Sequence, residues 1–247
     1  MKRFFAGLSD PGLLRTSNQD AYYLDPQSRF YIVADGMGGH AGGQEASRLA
    51  TETIRAHLDQ YWDSTESSKD LLHEAFLRAN EAILKDQSTH PERSDMGTTA
   101  VALMFREQQL WCAHVGDSRL YRLRGATLEQ ITEDHTWVAR AIREGELTLE
   151  QSKSHPWRHV LSQCLGREDL NHISLKPVTM QVSDRYLLCS DGLTEELSDP
   201  MIAHQLKSIR ACEAAASALV EAAKARGGRD NITVVVLYLQ GEAPLNS

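Results

Sequence analysis

Cysteine is scarce and scattered. Cys112, Cys164, Cys189 and Cys212 are the four cysteines of a 247-residue chain, and no two form a C-x-x-C pair. This argues against a zinc knuckle or a disulfide framework and points to a reducing compartment, the cytoplasm. No apolar run approaches the length needed to span a bilayer. The apolar stretch in the opening MKRFFAGLSDPG stops at Ser9-Asp10-Pro11, too soon for a secretory signal. Positive charge is also short. There are 26 Lys and Arg against 34 Asp and Glu, a formal charge of −8. A surface that coats nucleic acid and a polybasic membrane patch are therefore not expected. Repeats, low-complexity segments and Pro/Gly/Ser linkers are missing too. A single domain over residues 1–240 with a polar tail at 241–247 is expected, and a monomer.

The rest is ordinary for a soluble globular chain, 41% apolar and 24% charged. Strand-like segments at 4–8, 21–24 and 29–35 precede two helical patterns at 44–62 and 69–87, with Ser67 and Ser68 as caps. Strand-like runs at 98–105, 110–116, 119–124 and 127–132 follow, joined by turns short enough to require antiparallel meanders. A polar, partly helical region covers 134–171. Strands at 173–182 and 185–191, helices at 201–207 and 211–226, and a last strand at 231–239 complete the chain. Sequential strands and paired helices predict an α+β class: antiparallel sheets with helices packed outside them.

YIVADGMGGHAGG, residues 31–43, combines five glycines with Asp35 and His40. Gly36 to Ala41 fits the G-x-G-x-x-G/A dinucleotide fingerprint, but the context does not. A Rossmann unit needs a second strand after the helix, and here another helix follows. Asp35 would also face a pyrophosphate with no cation between them. No Walker A lysine follows either.

Asp35 has counterparts. Apolar runs also end in Asp117 and in Asp191-Gly192, and Asp230-Asn231 opens the last one. Singly, each fits a turn. Antiparallel strands, however, carry their ends to shared rims, and four carboxylates on one rim repel unless cations neutralise them. Carboxylates, a carbonyl beside glycine and water are hard donors, suited to Mg²⁺ or Mn²⁺. Two such ions bridge and acidify a water for in-line attack on a phosphoryl group, which is hydrolysis without a protein nucleophile. Other phosphatase chemistries lack their residues. No cysteine has the C-x5-R spacing, Asp191-Gly-Leu lacks the second Asp of D-x-D, and H-E-x-x-H is missing.

Thr16-Ser17-Asn18-Gln19-Asp20, Val33 to His40, Met96-Gly97-Thr98-Thr99, His114 to Arg119, Asp134-His135-Thr136, Ser190-Asp191-Gly192 and Asp230-Asn231-Ile232-Thr233 occur in that order. Together they closely resemble the type 2C, metal-dependent serine/threonine protein phosphatases, over about residues 6–238. Within that family the chain is similar to the minimal bacterial members. The stretch HPWRHVLSQCLGRED (155–169) is most similar to the cyanobacterial phosphatase that acts on the phosphorylated signalling protein PII. The resemblance implies a four-layer α/β/β/α sandwich with a metal cleft at one end and a flap at about 134–171. It implies phosphoserine and phosphothreonine hydrolysis by a water or hydroxide bridging two Mg²⁺ or Mn²⁺ ions, with no covalent intermediate and a phosphorylated protein as partner. Asp35 would bridge the two core ions and the Gly36 carbonyl would bind one of them. Asp191 and Asp230 would complete the other, and Asp117 with Asp191 would hold a third. Arg15 would bind the substrate phosphate and Asp20 would order the metal-bound water.

One position departs from the family. Many eukaryotic members carry histidine two residues after the bridging aspartate, where this chain has Met37. His40 is then a candidate general acid for the leaving alkoxide. A loop-structuring His40, or protonation by water, are the alternatives. In the flap, Arg158, His159 and Arg167 are expected to face a phosphoprotein. Ser154 and Pro156 read as a helix start, with Trp157 packed inward. A phosphoprotein-binding pseudophosphatase and a small-molecule phosphoesterase are the alternatives to the enzyme reading.

Overall fold

The computed structural model describes residues 1–39 and 42–241. His40 and the tail beyond 241 lie outside the described residues. The elements run β1 (Lys2–Asp10), β2 (Asp20–Leu24), β3 (Phe30–Met37), α1 (Gly42–Tyr61), α2 (Ser68–Thr89), β4 (Gly97–Thr98), β5 (Ala100–Arg106), β6 (Gln109–Val115), β7 (Arg119–Arg124) and β8 (Thr127–Gln130). They continue with α3 (Trp137–Arg143), α4 (Leu149–Lys153), β9 (Ser174–Val178), β10 (Arg185–Cys189), α5 (Asp191–Thr194), α6 (Asp199–Ser208), α7 (Cys212–Lys224) and β11 (Ile232–Gln240).

Two antiparallel sheets form the centre. One has the order β1-β11-β10-β7-β8; the other is β2-β3-β5-β6-β9, with β4 beside β3. Period-2 alternation distributes β3 between two layers. Tyr31 and Val33 face the other sheet and pack with Leu103, Tyr186, Leu188 and Val235. Phe30 and Ile32 face α1 and α2 and pack with Ile54, Leu58, Leu72 and Phe76. β11 divides the same way: Val235 and Leu237 lie between the sheets, and Val234 and Val236 meet Leu219 and Val220 of α7. Each fully buried Leu, Val or Phe is worth roughly 1.5–3 kcal/mol over exposure. The result is helices, sheet, sheet, helices: the four-layer α+β sandwich expected from the motifs.

Local signals account for the ends. The Ser67 side chain accepts from the Asp70 N–H and starts α2. α2 stops at Thr89, ahead of Pro91. Pro200 occupies the first turn of α6 and moves its start to Asp199, upstream of the expected 201. The expected strand at 173–182 is shorter, Ser174–Val178. It is an edge strand, which tolerates Pro177, and the chain then turns through Ser183 at φ 74°.

One expectation in the flap fails. Ser154 does not start a helix; it caps the C-terminal end of α4, which Thr148 and Gln151 begin as a capping box. Residues 156–159 are turns. Trp157 is 54% exposed, not packed inward. No core underlies it; its ring instead stands edge-on to Trp137, with centroids 4.9 Å apart.

Candidate metal centre

Antiparallel register brings the aspartates to one rim. Asp20 begins β2 directly opposite Asp35 of β3. β6 ends at Val115 and β10 at Cys189, each just before Asp117 and Asp191, and β11 begins just after Asp230. The ordered motifs hold these carboxylates in place. Thr98 Oγ1 (2.8 Å) and the Thr99 N–H (2.9 Å) both donate to the Asp35 carbonyl. The Asp35 N–H donates to Thr99 Oγ1 at 3.0 Å. Ser190 Oγ donates to Asp20 Oδ2 at 2.7 Å and accepts from the Thr233 N–H. Asn231 accepts from the Gln19 N–H and donates to the Pro11 and Ser17 carbonyls, fastening the loop that carries Arg15. His135 Nδ1 accepts from the Gly116 N–H beside Asp117. Burial pushes that imidazole down to about 3, so it stays neutral and remains an acceptor.

The electrostatics are those of crowded carboxylates. Asp35 is pushed well above the usual carboxylate range by burial, then by Asp20, Asp191 and Asp117. Asp191 is raised likewise by burial, then by Asp117, Glu195 and Asp230. Burial pushes Asp20 up to about 6, against the hydrogen bonds from Thr233 and Ser190. Asp117 rises to about 7 by burial and Asp134. Arg15 is the counter-cation: its Nη2 donates to Asp230 Oδ2 at 2.6 Å. Arg119 lies near Asp117, but its guanidinium is closed on Asp134.

These residues fit hard divalent cations. The donors are carboxylates crowded past what one arginine neutralises. Asp20 Oδ1 is buried without a partner. Gly36 is required for the close approach of backbone to backbone, because a Cβ there would lie 1.9 Å from the Gly43 carbonyl oxygen. Thiolate is missing from the cluster, which leaves it poorly suited to soft metals.

The structure brings Arg15, Asp20, Asp35, Asp117, Asp191 and Asp230 into this one electrostatic cluster. Arg158 and His159 join it from the flap. They line a cavity of about 760 Å³ together with Asp117, Asp191 and Glu195. His159 Nδ1 lies 2.6 Å from Glu195 Oε1, and ligand atoms of His159, Asp191 and Glu195 fall within 4.8 Å of one another. Arg167 does not line that cavity; its guanidinium is closed on Asp169 at 2.7 and 2.8 Å. Glu195 and Asn231 were not singled out in the sequence as site residues. The i, i+4 spacing of Asp191 and Glu195 was the available signal for the first.

Comparison with known proteins agrees with this geometry. The model of the family "Protein phosphatase 2C" matches residues 15–225. The chain is 42% identical over 238 residues to the serine/threonine protein phosphatase PstP of Mycobacterium tuberculosis, covering 94% of this chain and 44% of PstP. It thus spans under half the length of that relative. It is 35% identical over 237 residues to the serine/threonine phosphatase stp of Listeria monocytogenes, covering 93% of each. Among solved structures, the catalytic domain of PstP in complex with two manganese ions superposes with a TM-score of 0.83 at 36% identity, covering 97% of this chain and 99% of that one. With the rim carboxylates, the seven ordered motifs and these matches in agreement, the chain belongs to the protein phosphatase 2C family.

Proposed function

We propose that the chain is a Mg²⁺- or Mn²⁺-dependent phosphatase that hydrolyses phosphoserine and phosphothreonine in proteins. The carrying observation is the set of carboxylates on one rim with Arg15 beside them. Asp35, the Gly36 carbonyl, Asp191 and Asp230 would hold two ions, and Asp117 with Asp191 a third. When bound, such ions polarise phosphoryl oxygens and acidify water.

The chain's own residues do the remainder. Arg15, half-exposed at the mouth, exchanges Asp230 for the substrate phosphate, which a guanidinium grips through two parallel N–H groups. Asp20 is fixed through Oδ2 by Ser190, and its Oδ1, buried without a hydrogen-bond partner, would order the attacking water. No thiol serves as nucleophile: all four cysteines are buried, and burial pushes Cys112 and Cys189 up to about 12. A covalent phosphocysteine route is thereby disfavoured. His40 is proposed as the proton donor to the leaving oxygen.

Residues 1–240 form one phosphatase domain in this reading, with 134–171 as a flap that meets the protein substrate, and the enzyme works as a cytoplasmic monomer. No helix among the described residues is long and apolar enough to cross a membrane. The finer substrate we propose is phosphorylated PII; its support is the resemblance of residues 155–169.

The test is hydrolysis of phosphothreonine peptides, phosphorylated PII, nucleotides and sugar phosphates by the purified chain. Hydrolysis of the first two, abolished by EDTA and restored by Mn²⁺, is the expected result. Preference for the small phosphates would make it a small-molecule phosphoesterase instead. Tight phosphopeptide binding with no turnover would make it a pseudophosphatase.

A further inference from the structure

At the end of the sandwich away from the metal rim lies a second charged cavity, of about 600 Å³. Arg185, Lys207 and Arg210 line it, with Leu123, Leu206 and Tyr238 as its apolar wall. Among its lining residues there is no aspartate or glutamate. That is unusual in a chain of net charge −8. The adjoining groove shares Arg210, Tyr238 and Gln240 with it and carries Glu213, and Asp184, between Ser183 and Arg185 in the chain, is closed on Arg124.

Arg185 is the informative member. It opens β10, in register with Tyr238 on one side and Leu123 on the other. Only 6% of it is exposed. Its Nη1 donates to the Leu206 and Ile209 carbonyls, the last acceptors of α6. Its Nε and Nη2 are buried and have no hydrogen-bond partner. Those two nitrogens form the edge of a guanidinium that grips an oxyanion in two parallel bonds. The same molecule shows how that edge is normally used. Arg29 turns it to Asp25, Arg119 to Asp134, Arg124 to Asp184, Arg167 to Asp169 and Arg229 to Glu196. Arg185 alone of these six has its edge buried with no carboxylate against it. A helix-capping role explains Nη1 but leaves the other edge unsatisfied, and a buried cationic N–H without an acceptor is costly.

We propose that this cavity is a binding site for a small phosphorylated ligand, distinct from the metal centre. A phosphate group enters beside the exposed Lys207 and Arg210, which neutralise its charge, the Arg185 edge, closed to solvent here, turns to meet it, and a flat ring lies against Tyr238 and Leu123. The shared chemistry is a phosphate or polyphosphate anion; a nucleoside diphosphate has both phosphates and ring, and inorganic pyrophosphate has phosphates alone.

The test is calorimetric titration of the full chain, in EDTA, with pyrophosphate and with adenosine 5′-diphosphate. EDTA removes the cations through which the metal rim would attract phosphate. Both probes are expected to bind, the nucleotide more tightly because its ring adds contact with Tyr238 and Leu123. Lys207→Ala/Arg210→Ala leaves the buried Arg185 and its α6 contacts in place and is expected to weaken binding by about tenfold or more. Arg15→Ala, at the other end of the molecule, is expected to leave it unchanged. Binding of neither probe to the wild-type chain overturns the proposal. So does binding that survives the double substitution or disappears with Arg15→Ala.

Discussion

Arg15 and Asp230 meet at 2.6 Å across 215 residues of chain. The arginine comes from the loop after β1 and the aspartate from the turn before β11. Asn231 joins the two by bonding to Pro11, Ser17 and Gln19. The pair is 54% and 31% exposed at its side chains, so it contributes little to stability, under about 1 kcal/mol. Its value is positional: it parks a guanidinium against Asp230, where a phosphate would arrive.

Arg15→Ala is therefore expected to lower kcat/KM for a phosphothreonine peptide about a hundredfold. Its urea unfolding midpoint should stay within error of the wild type. Kinetics and urea titration on one preparation check both; a large fall in stability would show that the arginine is structural.

Asn231→Ala is the complementary variant. It removes three buried or half-buried hydrogen bonds and leaves backbone partners unsatisfied, a cost of about 1–3 kcal/mol for each such group at most. Chemical denaturation should show the loss. Activity should fall with it, because the Arg15 loop is no longer held.

The carboxylates also make a pH prediction for the metal-free protein. Burial and crowding push Asp20 up to about 6 and Asp117 up to about 7, and hold Asp35 and Asp191 well above the usual carboxylate range, against about 3.9 in an unfolded chain. Between those limits the folded state binds more protons than the unfolded one. The stability these groups contribute is complete below pH 4 and is lost as pH rises through 6 and 7. In EDTA, Asp35→Asn should thus melt several degrees above the wild type at pH 7.5 and close to it at pH 5. Equal melting temperatures at both values would contradict the crowding argument.

Gly36 and Gly39 separate a required glycine from a permissive one. A Cβ at Gly36 would meet the Gly43 and Gln19 carbonyls at 1.9 and 2.5 Å, whereas one at Gly39 meets nothing within 4 Å. Gly36→Ala should cost about 3 kcal/mol or more, or fail to fold, because two backbones have to separate. Gly39→Ala should unfold within about 1 kcal/mol of the wild type. Paired urea titrations measure the contrast.

Arg158 and His159 line the cavity that also contains Asp117 and Asp191, and in the proposed function they would meet the part of a substrate beyond its phosphate. Arg158→Ala and His159→Ala are expected to reduce kcat/KM for phosphopeptides about tenfold, with a much smaller change for an aryl phosphate. Equal losses on both substrates would assign them to the chemistry or to the fold instead.

Antiparallel sheets with helices outside them were legible in the sequence because their signals are local, whereas the four-layer stacking came only with the family resemblance. The unbroken apolar runs Phe30–Val33 and Val234–Leu237 read as buried strands, and Asp35, Asp117, Asp191 and Asp230 mark strand ends that antiparallel pairing carries to one rim; which face of each strand meets which layer only the packed structure shows. What was not legible depends on partners far away in sequence. Asn231 tying down Ser17, Ser190 fixing Asp20 and His159 reaching Glu195 are consequences of register, which no local pattern states. Trp157 misled for the same reason. Its aromatic ring suggests burial, but the turn that carries it leaves the ring half-exposed, edge-on to Trp137 of α3. Arg185 reads as an ordinary strand-start cation, and only the packed structure shows its unsatisfied edge.

The central claim is that the rim carboxylates hold divalent ions for phosphoester hydrolysis. Its most direct test is Mn²⁺ titration of the EDTA-stripped chain by calorimetry, with turnover of a phosphothreonine peptide followed in the same samples. The account predicts binding at two or more sites, with turnover rising as those sites fill and both lost in Asp35→Asn. Turnover that persists in EDTA, or Mn²⁺ binding and turnover unchanged in Asp35→Asn, would contradict it.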